Sequence, residues 1–443
     1  MIWIFHPQDL IFFFKAPPHT LAFLPAVEQW TDRVFGLPPA DFLPCHGTIL
    51  TAMRSVVGGT TQESKERHAR TLIPLLKQQI RTHMTCNSNN NNKVELISSL
   101  ARVLFGASVE ALFGRAFIDR HGEDALRDAF FEFEAGFELA ASPLPHTLLP
   151  GFRRAKKFLL KAFTSSLLEH RDFDTEASQS SSASPAVCHT LVASSHLPLH
   201  VIPNMLLAVL WASQANTIPS AFWALSYLLR DENKVNRAMV LKELRQQQPS
   251  HNNNNNNDDD DDDDDDDDSV ITVACDSNSF LSCCVLEAVR LRSASTDVRI
   301  AASDFVLPGT NKLVKKGCMV LMCPWISHVD ERLYGDDALE FNPHRCRRRR
   351  SSSGDTGMGV LHGRGVAGVG GLGGFAFGGG AFRCPGRSFA EMELGLVVGM
   401  VLRRIPKEVV LSDKDVPGPD VTKLVGVKVP MQGDGCWVVV GEG

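Results

Sequence analysis

The sequence contains no Cys-x-x-Cys pair in its 443 residues. Its eleven cysteines are irregularly spaced, which excludes a structural zinc site built from paired thiolates. The odd thiol count and the absence of a secretory leader point to a reducing compartment. No stretch of Lys and Arg interleaved with aromatics is present, so nucleic acid is not an expected partner. Acidic residues are abundant only locally. The net charge is −6, but Asp258 to Asp268 is an unbroken run of eleven aspartates, and without it the balance is +5. That run lacks the glycine and alternating ligands of a calcium loop and reads as a solvated spacer. A clean membrane-spanning run is also missing. Leu197 to Leu229 is long and apolar enough, but Ser213, Gln214, Asn216 and Thr217 stand at its middle. A helix buried across a large core, with a polar notch facing a site, fits better. Pro219 withholds a backbone N–H and would leave a carbonyl free at that notch.

What is present is a mainly helical pattern with a small β part. Apolar residues recur at three- and four-residue spacing in "AVEQWTDRVFGL", "SVVGGTTQESKERHARTLIPLLKQQIRTHM", "LRDAFFEFEAGFELAA" and "RAKKFLLKAFTSSLLEHRD". Strand-like pieces are few: "KLVKKGCMVLMC", "KLVGVKVPM" and "CWVVVGE". Composition is that of a globular chain, 44% hydrophobic and 22% charged. We read residues 1–443 as one domain, with low-complexity insertions at 87–92, 176–186, 249–269 and 347–374. Their polyasparagine, polyserine, polyaspartate and Gly-rich compositions cannot bury enough apolar surface to offset the entropy of ordering.

The chemistry concentrates in "FGGGAFRCPGRSFAEMEL", residues 377–394. A lone cysteine beside glycines is ordinarily a small buried hydrophobe. Here a glycine-rich approach lets backbone come close to a flat ligand, and a helix starting near Ser388 favours thiolate. Phe377 stands where it could pack beside a planar group. A thiolate so held suits an electron-donating ligand of haem iron.

Three other motifs accompany the loop in order. "EAVR" places Glu287 and Arg290 on one helix face, where they can form an ion pair. "FNPHRC" supplies Arg345, which the same carboxylate can clamp through bidentate bonds. "PWISHVDERLYGDDALEF" lies between them. With the loop's Phe377, Gly380, Cys384 and Gly386, these motifs resemble the cytochrome P450 family. "LWASQANTIPSAFWALSYLLRD" and "LEAVRLRSASTDVRIA" further resemble the sterol and oxysterol 7α-hydroxylases, a branch near prostacyclin synthase and sterol 12α-hydroxylase. The match is clear from about residue 195 to 440 and traceable before that, "IWIFHPQDL" resembling the early strand and helix.

The resemblance implies a P450 fold, mainly α with a small β part, lacking the N-terminal anchor and first helix. It implies haem b, with Cys384 as axial ligand of the iron and Phe377, Gly380, Arg383 and Gly386 around it. Glu287, Arg290 and Arg345 would lock the loop. Asn216 and Thr217 would hold water and guide protons, with Asn216 in place of the family's usual acid. The family's Arg two residues before the cysteine is replaced by Phe382, so Arg299 is the expected cation for a haem propionate. The implied activity is a monooxygenase inserting one oxygen atom of O2 into a C–H bond of an apolar, sterol-like substrate. Electrons would come from NADPH through NADPH–cytochrome P450 reductase, at the cytosolic face of the endoplasmic reticulum membrane. Two alternatives stand beside it: an isomerase resembling prostacyclin synthase, against which Thr217 argues, and a truncated haem protein without catalysis.

Overall fold

The computed structural model of the chain describes residues 1–57, 61–84, 93–173, 197–246, 263–346, 375–423, 425–431 and 435–440. The insertions expected at 87–92, 176–186 and 347–374 lie outside the described residues, as does 249–262.

At the centre is the helix Thr217–Leu228, in which every residue is buried. A helix apolar on all sides has no solvent face to present, so it must be wrapped by others. Leu96–Phe113, Phe280–Arg292 and Arg387–Arg404 do so. Leu96–Phe113 is the one described helix long and apolar enough by itself to cross a membrane, and it is mostly buried in this core. The region read as one long helix over 197–229 is two, Ile202–Gln214 and Thr217–Leu228, separated at Ala215 and Asn216. Pro219 is the physical reason: it offers no N–H to the carbonyl of Ala215.

The β part is small. Strands β1 (Ile2–Trp3), β2 (Leu21–Ala22), β4 (Asp297–Ala301) and β7 (Met319–Met322) form a sheet in the order β1-β7-β4-β2, with β1 parallel to β7 and the other pairs antiparallel. Strands β5 (Phe305–Val306) and β6 (Leu313–Val314) make a hairpin. Strands β3 (Lys93–Glu95) and β8 (Trp437–Val439) pair antiparallel, tying the late chain to the start of Leu96–Phe113. Among its described residues, "KLVGVKVPM" makes only isolated bridges, Ser293 to Val427 and Pro419 to Pro430.

One part of the aspartate run is not a spacer. Asp263 to Asp268 form the opening turns of the helix Asp263–Cys275. Carboxylates are favourable at a helix N-terminus. Asp267 also meets Lys77 at 2.8 Å, and Asp268 meets Arg70 at 2.9 Å.

Candidate haem-thiolate site

The cysteine loop is shaped before any ligand is considered. Gly378 N–H donates to Phe375 O at 2.9 Å, and Cys384 N–H donates to Phe377 O at 2.9 Å. Gly380 has φ +64, and a Cβ there would sit 2.2 Å from the carbonyl oxygen of Phe14. Conformation and close approach both require glycine at this point. Gly386 differs, since its φ is −86 and a Cβ would meet Val57 Cγ2 at 3.8 Å and Cys384 Sγ at 4.0 Å, ordinary contacts. The helix Arg387–Arg404 begins directly after it, one residue before the expected start.

Cys384 is accessible. Protein packed around the sulfur desolvates it and holds the thiol above its ordinary value, outweighing the N–H groups of Gly386 and Arg387 and the Arg387 charge, which favour thiolate. Phe377 lies under the Arg387 guanidinium at 5.2 Å, and Arg387 in turn donates to Glu391 at 2.5 Å.

Behind the loop stands the buried ion-pair cluster. Ser279 caps the helix Phe280–Arg292 by accepting from Ser282 N–H, and Glu243 accepts from the N–H groups of Phe280 and Leu281. On that helix Arg290 grips Glu287 with two bonds, 2.9 and 2.8 Å, and both residues are almost fully buried. Arg345 reaches Glu287 with one bond, 3.1 Å, rather than the expected two. Its other donors go to Tyr334 O at 2.7 Å, the Asp337 carboxylate at 2.6 Å and the Asp337 carbonyl. A planar fork serving three acceptors cannot also lie flat on one carboxylate.

The sequence motifs implied that this cluster locks the cysteine loop but not through which residue. The structure supplies one, His328, fully buried. Its Nδ1 is 2.9 Å from the carbonyl oxygen of Arg290, and its Nε2 accepts from Phe375 N–H at 2.8 Å. The two bonds together define the neutral Nδ1–H tautomer. The ring also stacks on Phe375, which stacks on Phe14, the residue whose carbonyl faces Gly380.

Arg299 lies in β4, buried beneath three rings: Phe382 at 4.8 Å, Phe13 at 5.0 Å and Phe23 at 5.3 Å. Its Nε has no hydrogen-bond partner among the described residues. Burial lowers its proton affinity, and desolvation pushes its partly buried neighbour Asp297 up to about 6. A desolvated guanidinium without an acceptor suits an anionic group arriving from outside the chain. The Phe382 contact places it beside the cysteine loop. These features, an accessible cysteine at a helix start, a glycine cradle and an orphaned buried cation, fit haem.

Asn216 is already engaged: its Oδ1 accepts from Val427 N–H at 2.9 Å. Thr217 is buried at the first turn of the central helix. Arg383 is exposed, and its side chain has no hydrogen-bond or ion-pair partner among the described residues.

Comparison with known proteins follows the same lines. Residues 61–430 match the family model described as Cytochrome P450. The human 24-hydroxycholesterol 7-alpha-hydroxylase is 22% identical over 89% of this chain and 77% of its own length. The rabbit cytochrome P450 7A1 is 26% identical over 74% of this chain and 63% of its own. The lanosterol 14-alpha demethylase of Eremothecium gossypii is 37% identical over 29% of this chain, which spans only 24% of that protein.

Proposed function

Because this chain belongs to the cytochrome P450 family, we propose that it is a haem-thiolate monooxygenase that inserts one oxygen atom of O2 into a C–H bond of an apolar, sterol-like substrate. The observation that carries this reading is the Cys384 loop, held by the Phe377 carbonyl and by the glycine geometry at Gly380, with the Arg299 guanidinium, its Nε without a hydrogen-bond partner among the described residues, packed against its Phe382. Bound haem supplies the oxygen-activating chemistry.

The chain's own residues do the rest. Cys384 would hold the haem iron as thiolate, the N–H groups of Gly386 and Arg387 and the Arg387 charge favouring that form. Arg299 receives a propionate, and Glu287, Arg290 and Arg345 hold the loop in place. Thr217, buried at the first turn of the central helix, would pass protons through its hydroxyl. Asn216 does so through its amide N–H, since its oxygen holds Val427. Sterol-type substrates and 7α-like regiochemistry are the finer reading. It is supported by the name of the human relative, 24-hydroxycholesterol 7-alpha-hydroxylase, and by the resemblance of the segment around Asn216 and Thr217 to the 7α-hydroxylases. NADPH–cytochrome P450 reductase is the proposed electron donor, and the endoplasmic reticulum membrane the proposed location.

The test is spectroscopic. The chain is expressed with haem supplied, reduced, and exposed to carbon monoxide. A red-shifted, thiolate-type Soret band that disappears in Cys384→Ala is the expected result. A histidine-type or free-haem band, or no bound haem, would overturn the reading for this chain.

A further inference from the structure

A cavity of about 350 Å³ lies away from the cysteine loop, between the end of the central helix, the helix Lys234–Gln246 and the segment after Arg404. Its apolar walls are Leu228, Leu229, Ala238, Leu241 and Val410. Among the described residues, every ionisable side chain that lines it is a cation.

These cations divide into two groups. Arg237 is fixed, donating to the carbonyls of Ile405, Pro406, Lys407 and Val409 that follow the helix Arg387–Arg404. Arg230 and Lys234 are balanced by Asp413 and Asp231. Lys242, Arg245 and Lys407 are exposed, and their side chains have no hydrogen-bond or ion-pair partner among the described residues. An apolar chamber is thus rimmed by three positive charges that no described acid balances. Apolar walls with a few polar groups at one end describe a small-molecule site. A low-dielectric wall strengthens the attraction of such a rim for an anion.

We propose that this cavity binds a single-chain amphiphile with an anionic head, its alkyl chain against Leu228, Leu241 and Val410 and its head on Lys242, Arg245 and Lys407. The volume is that of about a dozen waters, room for one chain and not for a two-chain phospholipid. Carboxylate and phosphate heads share this chemistry.

Equilibrium dialysis of the haem-loaded chain with laurate, dodecyl phosphate, dodecanol and inorganic phosphate separates the possibilities. A parallel Soret titration records occupancy beside the haem. Binding of laurate or dodecyl phosphate, with neither dodecanol nor phosphate matching it, is expected. The double variant Lys242→Glu, Arg245→Glu should weaken it tenfold or more at low salt, and Ala238→Trp, a substitution at an exposed helix position, should remove one site per chain. Both should leave the Soret titration unchanged. Equal binding of dodecanol would overturn the anionic head. Binding of phosphate alone would reduce the site to an ion site and overturn the chain. Loss of the Soret response together with the dialysis signal would assign the amphiphile to the haem pocket instead, and indifference to both variants would overturn the proposal outright.

Discussion

His328 uses both ring nitrogens on backbone. The Arg290 carbonyl it serves is among the last four of its helix, the ones a helix leaves unbonded. The Phe375 N–H it satisfies opens the turn that leads to Cys384. His328 is thereby a positioning residue, linking the Glu287–Arg290 pair to the sulfur through one side chain. His328→Leu keeps the bulk but leaves two buried backbone groups unpaired, a cost of about 2–6 kcal/mol. The expected outcome is a folded chain whose carbon monoxide complex shifts in part from the thiolate-type to the ordinary Soret band. His328→Gln, with one amide donor and one acceptor, should recover most of the thiolate form. If Leu and Gln behave alike, packing rather than the two hydrogen bonds is what His328 contributes.

At the scale of elements, the helix Arg387–Arg404 carries a second buried acid unrelated to the loop. Glu393 accepts from Ser108 Oγ, on Leu96–Phe113, and is 1% exposed. Desolvation pushes its carboxyl up to about 7, against the lowering by Ser108. The folded chain therefore keeps this proton in a range where the unfolded chain has lost it. Stability contributed by Glu393 falls as pH rises from about 4.5 to about 7, then levels, by on the order of 3 kcal/mol at most. Glu393→Gln keeps an acceptor for Ser108 and removes the titration. Its unfolding midpoint should rise relative to the parent between pH 5 and 7.5, and a constant difference across that range would refute the shift. Glu134, also near 7, leaves part of the parent's slope in the variant. Nothing in the sequence marks Glu393, because it sits between Met392 and Leu394 in a helix whose burial is set by tertiary packing. The Glu287–Arg290 pair was legible, since i and i+3 on a helix must meet. The thiol loop was legible because Gly380 and Cys384 are chemically rare choices in that order. His328 and Asp337 belong to a recognisable rhythm, but their roles depend on which backbone groups the fold leaves unpaired. The split of the long helix at Ala215 and Asn216 followed from Pro219, though a free carbonyl was expected there rather than a full break.

For the whole molecule, charge distribution outweighs net charge. The chain carries −6, and five of its acids, Asp258 to Asp262, come ahead of the helix Asp263–Cys275; without them the charge is −1. Its exposed cations, Lys242, Arg245 and Lys407 among them, attract an acidic electron-donor protein over a range set by salt, about 10 Å at 0.1 M ionic strength and about 3 Å at 1 M. Reduction of the haem-loaded chain by NADPH–cytochrome P450 reductase should therefore slow steadily as salt is raised. Aspartates 258–262, ahead of the helix Asp263–Cys275, oppose that attraction in proportion to their charge. Replacing these five with serine moves the net charge from −6 to −1. The helix and its contacts to Lys77 and Arg70 are left untouched. The replaced chain should be reduced faster at low salt and lose that advantage at high salt, where both chains converge, because screening removes a charge effect and leaves a contact effect in place. Stopped-flow reduction under carbon monoxide at several salt concentrations gives the comparison directly. Identical rates at low salt would mean that the aspartate tract does not act on the docking face. A difference persisting at high salt would mean that those residues take part in docking through contact rather than through their field.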